Sequence, residues 1–339
     1  MQPTRTANGV RLGGNARQRF HESRGIGRLL DSGDVLLDPV ETAFLLYRGD
    51  LPDIDGLGFS AYVGSIEAEH LLIRFLVYRD FRERGFYLSP WTNDGTVDFV
   101  VFSRGSDPVD GEVAYEVRVV DERHPIPVTE LEPGVLAVVD EEGEIGYIAV
   151  DRTSWEGTAP VPTAQHVPAA LAGTRVITTQ ATPELYGESF FGQPVGGRDA
   201  LEAPLQLSLI EAVYLAEHDV IELEADLDSL YARGRDLESD RFDRRLAVYR
   251  ALRGAGVVPK TGYKFGADFR VYRAFTSTEE MTHSEELVRI LEPDDVLLPH
   301  ELALDIRLAH GVGKRMVFAL PSGSDDTAIT WISIARLTP

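Results

Sequence analysis

Apolar residues recur at helical spacing in two similar stretches, HLLIRFLVYRDFRERGF (70–86) and RFDRRLAVYRALRGAGV (241–257). Leu71, Phe75, Tyr78 and Phe81 match Phe242, Leu246, Tyr249 and Leu252, and both sets follow i, i+4, i+7 spacing. The pattern predicts two amphipathic helices, stopped by Gly85 and Gly256. The same offset of about 171 residues brings EVRVV (116–120) onto LVRIL (287–291) and PVTEL (127–131) onto LPHEL (298–302). Nearer each N-terminus, LDPVETAFLL (37–46) pairs with LSLIEAVYLA (207–216). There Asp38 with Glu41, and Ser208 with Glu211, have capping-box spacing. Four matches, in order and at nearly one offset, mark an internal duplication.

The chain therefore divides into a tail (1–21), a first repeat (22–152), a linker (153–175) and a second repeat (176–339). The linker assignment rests on TSWEGTAPVPTAQHVPAALAG (153–173), rich in Pro, Ala, Thr and Gly. Each repeat reads as a small helical part followed by helix, strand, strand, helix and two strands, an α/β (α+β) class.

The repeats differ where chemistry would reside. In GYKFGADFRVYRAF (262–275), alternation puts Phe269 and Val271 on one strand face and Arg270 and Tyr272 on the other. The first repeat has DFVVF (98–102) there, so Arg270 and Tyr272 become Val100 and Phe102. His283 is replaced by Glu112. The segment ELALDIRLAHGVGKRMVFAL (301–320) predicts a helix with Leu302, Ile306 and Ala309 inward and Arg307 and His310 on another face. Gly311 and Gly313 would end it, placing Lys314 at the turn into the next strand. The first repeat passes from Leu131 to VLAVV (135–139) almost at once, without that helix or a lysine. Tyr272, His283 and Lys314 thus lack counterparts, and the second repeat reads as competent, the first as scaffold.

Composition sharpens this. Lysine occurs only at 260, 264 and 314 against thirty arginines, and the net charge is −22. A compact ammonium suits chemistry at one atom better than a guanidinium does. Abundant acid with almost no lysine resembles the composition of proteins from salt-loving archaea, and a GC-rich genome is a second source of the low lysine. The chain has no cysteine, which excludes disulfides and thiolate chemistry and argues against zinc. No apolar run approaches the roughly 18 residues of a membrane span, and the basic N-terminus has no apolar core behind it. A cytoplasmic protein without a membrane partner is expected. Residues 241–273 carry nine Lys and Arg against Asp243 and Asp268, a local basic excess in an acidic chain.

TGYKFGADFRVYR (261–273), HSEELV (283–288) and RLAHGVGKRMVFA (307–319) resemble the C-terminal domain of archaeal tRNA-intron splicing endonucleases. The two-repeat layout resembles the fused, homodimeric form of that family. The resemblance implies that each repeat has a small α/β N-terminal subdomain and a mixed-sheet α/β endonuclease subdomain. It implies a catalytic Tyr272, His283 and Lys314, no cofactor and no metal. The substrate would be precursor tRNA, cut at bulge-helix-bulge junctions by transesterification to leave 2′,3′-cyclic phosphate and 5′-hydroxyl ends. It further implies that Arg307 and Arg336 clamp a flipped base. The acidic loop Asp140, Glu141, Glu142 and Glu144 would dock on the partner subunit. The family carries a second basic residue where this chain has Gly313.

The residue types suit the reaction. His283 can act as acid near neutral pH, and Lys314 can supply charge where it develops. A phenol, ordinarily titrating near about 10, is a weak base unless a cation stands by, here Arg270 or Lys314. Two other classes fit parts of the pattern: a metal-dependent nuclease of restriction-like fold, and a non-catalytic RNA-binding subunit.

Overall fold

The computed structural model describes residues 3–66, 70–92, 95–106, 111–160, 162–163, 165–178, 184–200, 203–224, 226–281, 283–321 and 329–339. Its largest element is a ten-stranded sheet made of two five-stranded halves. The second repeat contributes, from the outer edge inward, Val258–Thr261, Phe269–Tyr272, Glu286–Ile290, Arg315–Pro321 and Ile329–Leu337. The first repeat continues with Ile145–Arg152, Gly134–Val139, Val113–Asp121, Phe99–Phe102 and Tyr87–Ser89, the same order reversed. The seam is antiparallel, pairing Tyr147 with Leu337 and Ala149 with Ala335. The duplicated units therefore share one sheet through their last strands.

Each half holds one parallel pair, and a parallel pair needs a crossover connection. The second repeat makes it with helix Pro299–Gly311, burying Leu302, Ile306 and Ala309 as the spacing predicts. The first makes it with only a 3-10 turn, Val128–Glu130. That helix packs into a core that includes Leu136, Val138, Ile148 and Val150 of the first repeat. One helix thus serves both halves of the sheet on this face.

On the other face lie the two predicted helices, Leu71–Glu83 and Asp240–Gly254, with all eight matched apolar residues buried. Both end alike. Gly85 N donates to Arg82 O and Phe86 N to Phe81 O; Gly256 N donates to Arg253 O and Val257 N to Leu252 O. The glycines take φ +85° and +73°, the left-handed cap that such endings need. Both capping boxes are formed as well.

Two boundaries differ from the sequence reading, while each N-terminal part is the small α/β subdomain that the resemblance implies. The first is a four-stranded sheet with helices Pro39–Tyr47 and Phe59–Gly64, and the second a five-stranded sheet with Leu209–Glu217 and Leu227–Glu238. Residues 1–21, read as a tail, supply strands Pro3–Thr6 and Gly9–Leu12 and bury Val10, Leu12, Ala16 and Phe20. Arginines on the outward positions of those strands mask an apolar inward set. The linker is also shorter than 153–175. Strand Val167–Ala172 pairs with Arg175–Thr178 and, in parallel, with Ile221–Leu223. Its Val167 and Ala169 face inward while Pro168 is exposed, so Pro and Ala content concealed a strand.

Candidate active site

Strand register brings the residues that distinguish the second repeat to one end of its sheet. Val271 pairs with Glu286, and Glu286 with Arg315. One step further, Glu285 N donates to Val271 O at 3.1 Å and Glu285 O accepts from Arg315 N at 3.1 Å. Tyr272, Glu285 and Lys314 therefore stand in a row across three adjacent strands, and alternation gives them one face. His283 is exposed, two residues before Glu285 in the loop that enters the middle strand.

Lys314 is presented by the helix ending. Gly313 N donates to His310 O at 3.0 Å and Lys314 N to Ala309 O at 2.9 Å, with Gly313 at φ +67°. The left-handed position favours glycine, although a Cβ there would meet nothing within 4 Å. The Lys314 ammonium donates to the carbonyl of Ser284, next to His283, and lies 5.5 Å from the centroid of the Phe265 ring. Partial burial and, after it, the Arg270 charge hold Lys314 below its ordinary range, against the opposing pull of Glu285. Arg270 has its guanidinium 5.8 Å from the Tyr272 ring centroid. Its Nε is buried without a hydrogen-bond partner among the described residues.

Tyr272 is 4% exposed and packs edge-on against Phe190, which in turn stacks on Phe275. Phe190 comes from the N-terminal subdomain and sits at φ +52°, a strained setting for a bulky residue. Lys260 holds it there. Its ammonium donates to the carbonyls of Phe190 (3.2 Å) and Gly192 (3.1 Å) and to Glu211 Oε1 (2.6 Å). Burial alone would raise the Glu211 carboxyl, but Lys260 and the amides of Ser208 and Gly192 hold it down at about 2. Burial pulls Lys260 the opposite way, toward its neutral form. The short contact and the two amide donors make the ionised pair the state at neutral pH. Concentration of all lysines in one window was the available sequence signal for Lys260; nothing local marked Phe190.

The basic excess of 241–273 is mostly spent internally. Arg241 pairs with Asp268, Arg244 with Glu292, Arg245 with Glu238, Arg250 with Glu217 and Arg273 with Glu286. Arg253 is buried, stacked 3.8 Å from the centroid of the Phe191 ring. Of the nine, Arg253, Lys264 and Arg270 make no ion pair among the described residues, and Arg253 instead donates to the carbonyl of Ser189.

The remaining predicted residues lie apart from this row. Arg307 is exposed on helix Pro299–Gly311, and Arg336 is exposed on the seam strand opposite Ile148. Asp140 accepts from the amides of Glu142 and Glu144, so it shapes its own turn, while Glu141 pairs with Arg123. Glu142 and Glu144 are exposed.

The fold is duplicated, and polar and cationic residues gather at the sheet end of the second repeat but not at the matched positions of the first. Comparison with known families agrees. The catalytic C-terminal domain of tRNA intron endonucleases matches residues 71–147 and 242–331, and their N-terminal domain matches 7–59 and 167–233. A Halobacterium salinarum protein bearing the name tRNA-splicing endonuclease is 52% identical over 338 residues, 97% of each chain. Proteins of the same name from Haloarcula marismortui and Methanosarcina mazei are 48% and 33% identical. The first alignment covers all of both chains, and the second covers 97% of this chain and 96% of its relative. The chain belongs to the tRNA-intron endonuclease family; it is an endoribonuclease that acts in excising introns from tRNA. Among the described residues, no helix is long and apolar enough to cross a membrane.

Proposed function

We propose that the second repeat cleaves precursor tRNA at bulge-helix-bulge junctions by metal-independent transesterification, with Tyr272, His283 and Lys314 as catalytic residues. The observation that carries this reading is the row Tyr272–Glu285–Lys314 beside His283, present in one repeat and absent from the other. Tyr272 takes the proton of the 2′-hydroxyl, and Arg270 supplies positive charge at the ring where a phenolate forms. The 2′-oxygen attacks phosphorus, and Lys314 stabilises the added negative charge. His283 protonates the departing 5′-oxygen as the P–O5′ bond breaks. The products are a 2′,3′-cyclic phosphate and a 5′-hydroxyl.

The protein works as a homodimer in this reading. The turn bearing Glu141, Glu142 and Glu144 of one protomer docks on the catalytic repeat of its partner, and Arg307 with Arg336 grips a bulged base. Between the subdomains of the catalytic repeat lies a cavity of about 420 Å³ whose lining includes Arg175 and Arg270, together with the pairs Arg245–Glu238 and Lys260–Glu211.

The test is incubation of the purified protein with a bulge-helix-bulge precursor in EDTA, followed by end-group analysis. Cyclic phosphate ends are expected from the wild type, and none from Lys314→Ala or His283→Ala. Loss of all cleavage in EDTA, or an uncut junction, overturns the reading.

A further inference from the structure

A carboxylate lies behind the catalytic row. Glu286 is 0% exposed and sits in the middle strand, on the face opposite Tyr272, Glu285 and Lys314. Arg273 follows Tyr272 and Arg315 follows Lys314, so each guanidinium points to that reverse face. Both converge on one oxygen: Arg273 Nε and Arg315 Nη2 are each 2.8 Å from Glu286 Oε1. Arg273 is fixed further by the Ser154 carbonyl at 3.1 Å and by Trp155, whose ring centroid is 4.5 Å from its Cζ. The clamp thus spans the three strands whose ends carry the site.

The first repeat lacks all of it. Its Val117–Val135 pair corresponds to Val288–Val317, which sets Tyr115 at the position of Glu286 and Pro133 at that of Arg315. Ser103, after Phe102, stands where Arg273 does. A buried carboxylate carries a desolvation cost, and an apolar set in its place is often as stable or more so. The fold alone therefore gives no reason to keep Glu286, and the degenerate repeat did not need one.

We infer that Glu286 is a positioning residue for the reaction proposed above, and the inference rests on that reading of Tyr272 and Lys314. It acts in two ways. By gripping the residues next to Tyr272 and Lys314, it sets the spacing between the base and the charge that stabilises the transition state. By balancing two guanidiniums, it keeps their charge from disfavouring the Lys314 ammonium, which already faces Arg270. Glu285 faces the ammonium from the row itself, with Arg270 the other charged group beside it.

The experiment compares wild type, Glu286→Gln, Arg315→Met and Lys314→Ala in single-turnover cleavage of a bulge-helix-bulge precursor at saturating protein. RNA affinity, thermal unfolding and the dependence of rate on pH are read on the same samples. Glu286→Gln and Arg315→Met are expected to slow cleavage about tenfold or more, since small misplacements of reacting groups carry costs of that order. Affinity should stay within about twofold of wild type, as expected when only the chemical step is touched. The rate profile of Glu286→Gln should move to lower pH, because the unbalanced guanidiniums then favour loss of the Lys314 proton. A purely structural role would lower the unfolding temperature and leave that profile in place. Arg315 is 61% exposed in its side chain, so Arg315→Met tests the clamp even where Glu286→Gln does not fold. A folded Glu286→Gln, or an Arg315→Met, with wild-type rate and profile overturns the clamp. If Lys314→Ala cuts at the wild-type rate, the assignment of the site itself fails instead.

Discussion

Glu41 and Glu211 hold one position in the two repeats, yet only Glu211 has a lysine beside it. Each closes a capping box, accepting from the N-cap amide of Asp38 (2.9 Å) or Ser208 (3.0 Å). Each also accepts from a positive-φ glycine, Gly27 or Gly192. Strand register places Ser89 of the first repeat where Lys260 stands, since Ser89 pairs with Val100 as Lys260 pairs with Arg270. Burial raises the Glu41 carboxyl to about 7, although amide donors oppose it, whereas Glu211 is held at about 2.

The two glutamates should give the fold opposite pH responses. Glu41 binds its proton more tightly folded than unfolded, so stability falls as pH rises from about 4.5 to about 7, by roughly 3 kcal/mol. Glu211 does the reverse, contributing stability above about 4.5 that is lost as pH falls through about 2. Urea unfolding across this range should show the first slope in wild type and its loss in Glu41→Gln. An unchanged slope in that variant would contradict the assignment.

Lys260→Met leaves Glu211 buried without its cation and leaves the Phe190 carbonyl only the longer donor Arg253. A loss of about 3–5 kcal/mol is expected at neutral pH, from the unfolding midpoint in denaturant. Mild acid should recover part of it, because a protonated Glu211 no longer needs a cation.

Gly85 and Gly256 end equivalent helices but should not tolerate alanine equally. A Cβ on Gly85 meets nothing within 4 Å, so Gly85→Ala should cost only the left-handed backbone strain, about 1–2 kcal/mol. A Cβ on Gly256 would lie 2.6 Å from Gly157 O, where the inter-repeat segment crosses it. Gly256→Ala should be clearly the worse of the pair by thermal unfolding; equal losses would mean that this crossing yields freely.

Ion pairing within 241–273 is expected to separate the cations that bind RNA from those that do not. Arg244→Ala removes a side chain already joined to Glu292 and should leave RNA affinity nearly unchanged. Lys264→Ala should weaken binding and reduce the salt slope of the affinity by about one. Filter binding over a salt series separates the two cases. Equal effects would return the whole 241–273 segment to the RNA interface.

Much of this was legible in the chain because duplication supplied an internal control. Val100 and Phe102 beside Arg270 and Tyr272 identified an apolar and a polar version of one strand face, and the missing helix marked Lys314. The tail and linker were misread because arginine, proline and alanine on outward positions hid short strands whose inward sets are only two or three residues long. The 241–273 charge excess misled for another reason: its carboxylate partners lie up to 49 residue numbers away, beyond local counting, as Glu211 does for Lys260.

By itself the sequence determined the repeat, its helices and caps, and the positions at which the copies differ, because those follow from local periodicity and from comparison of matched positions. Only the tertiary structure decided that Tyr272, Glu285 and Lys314 share a row, that Lys260 supports Phe190, and that Glu286 joins Arg273 to Arg315. Those relations depend on strand register and on which subdomain packs where, and register is set by pairing between segments far apart in the chain.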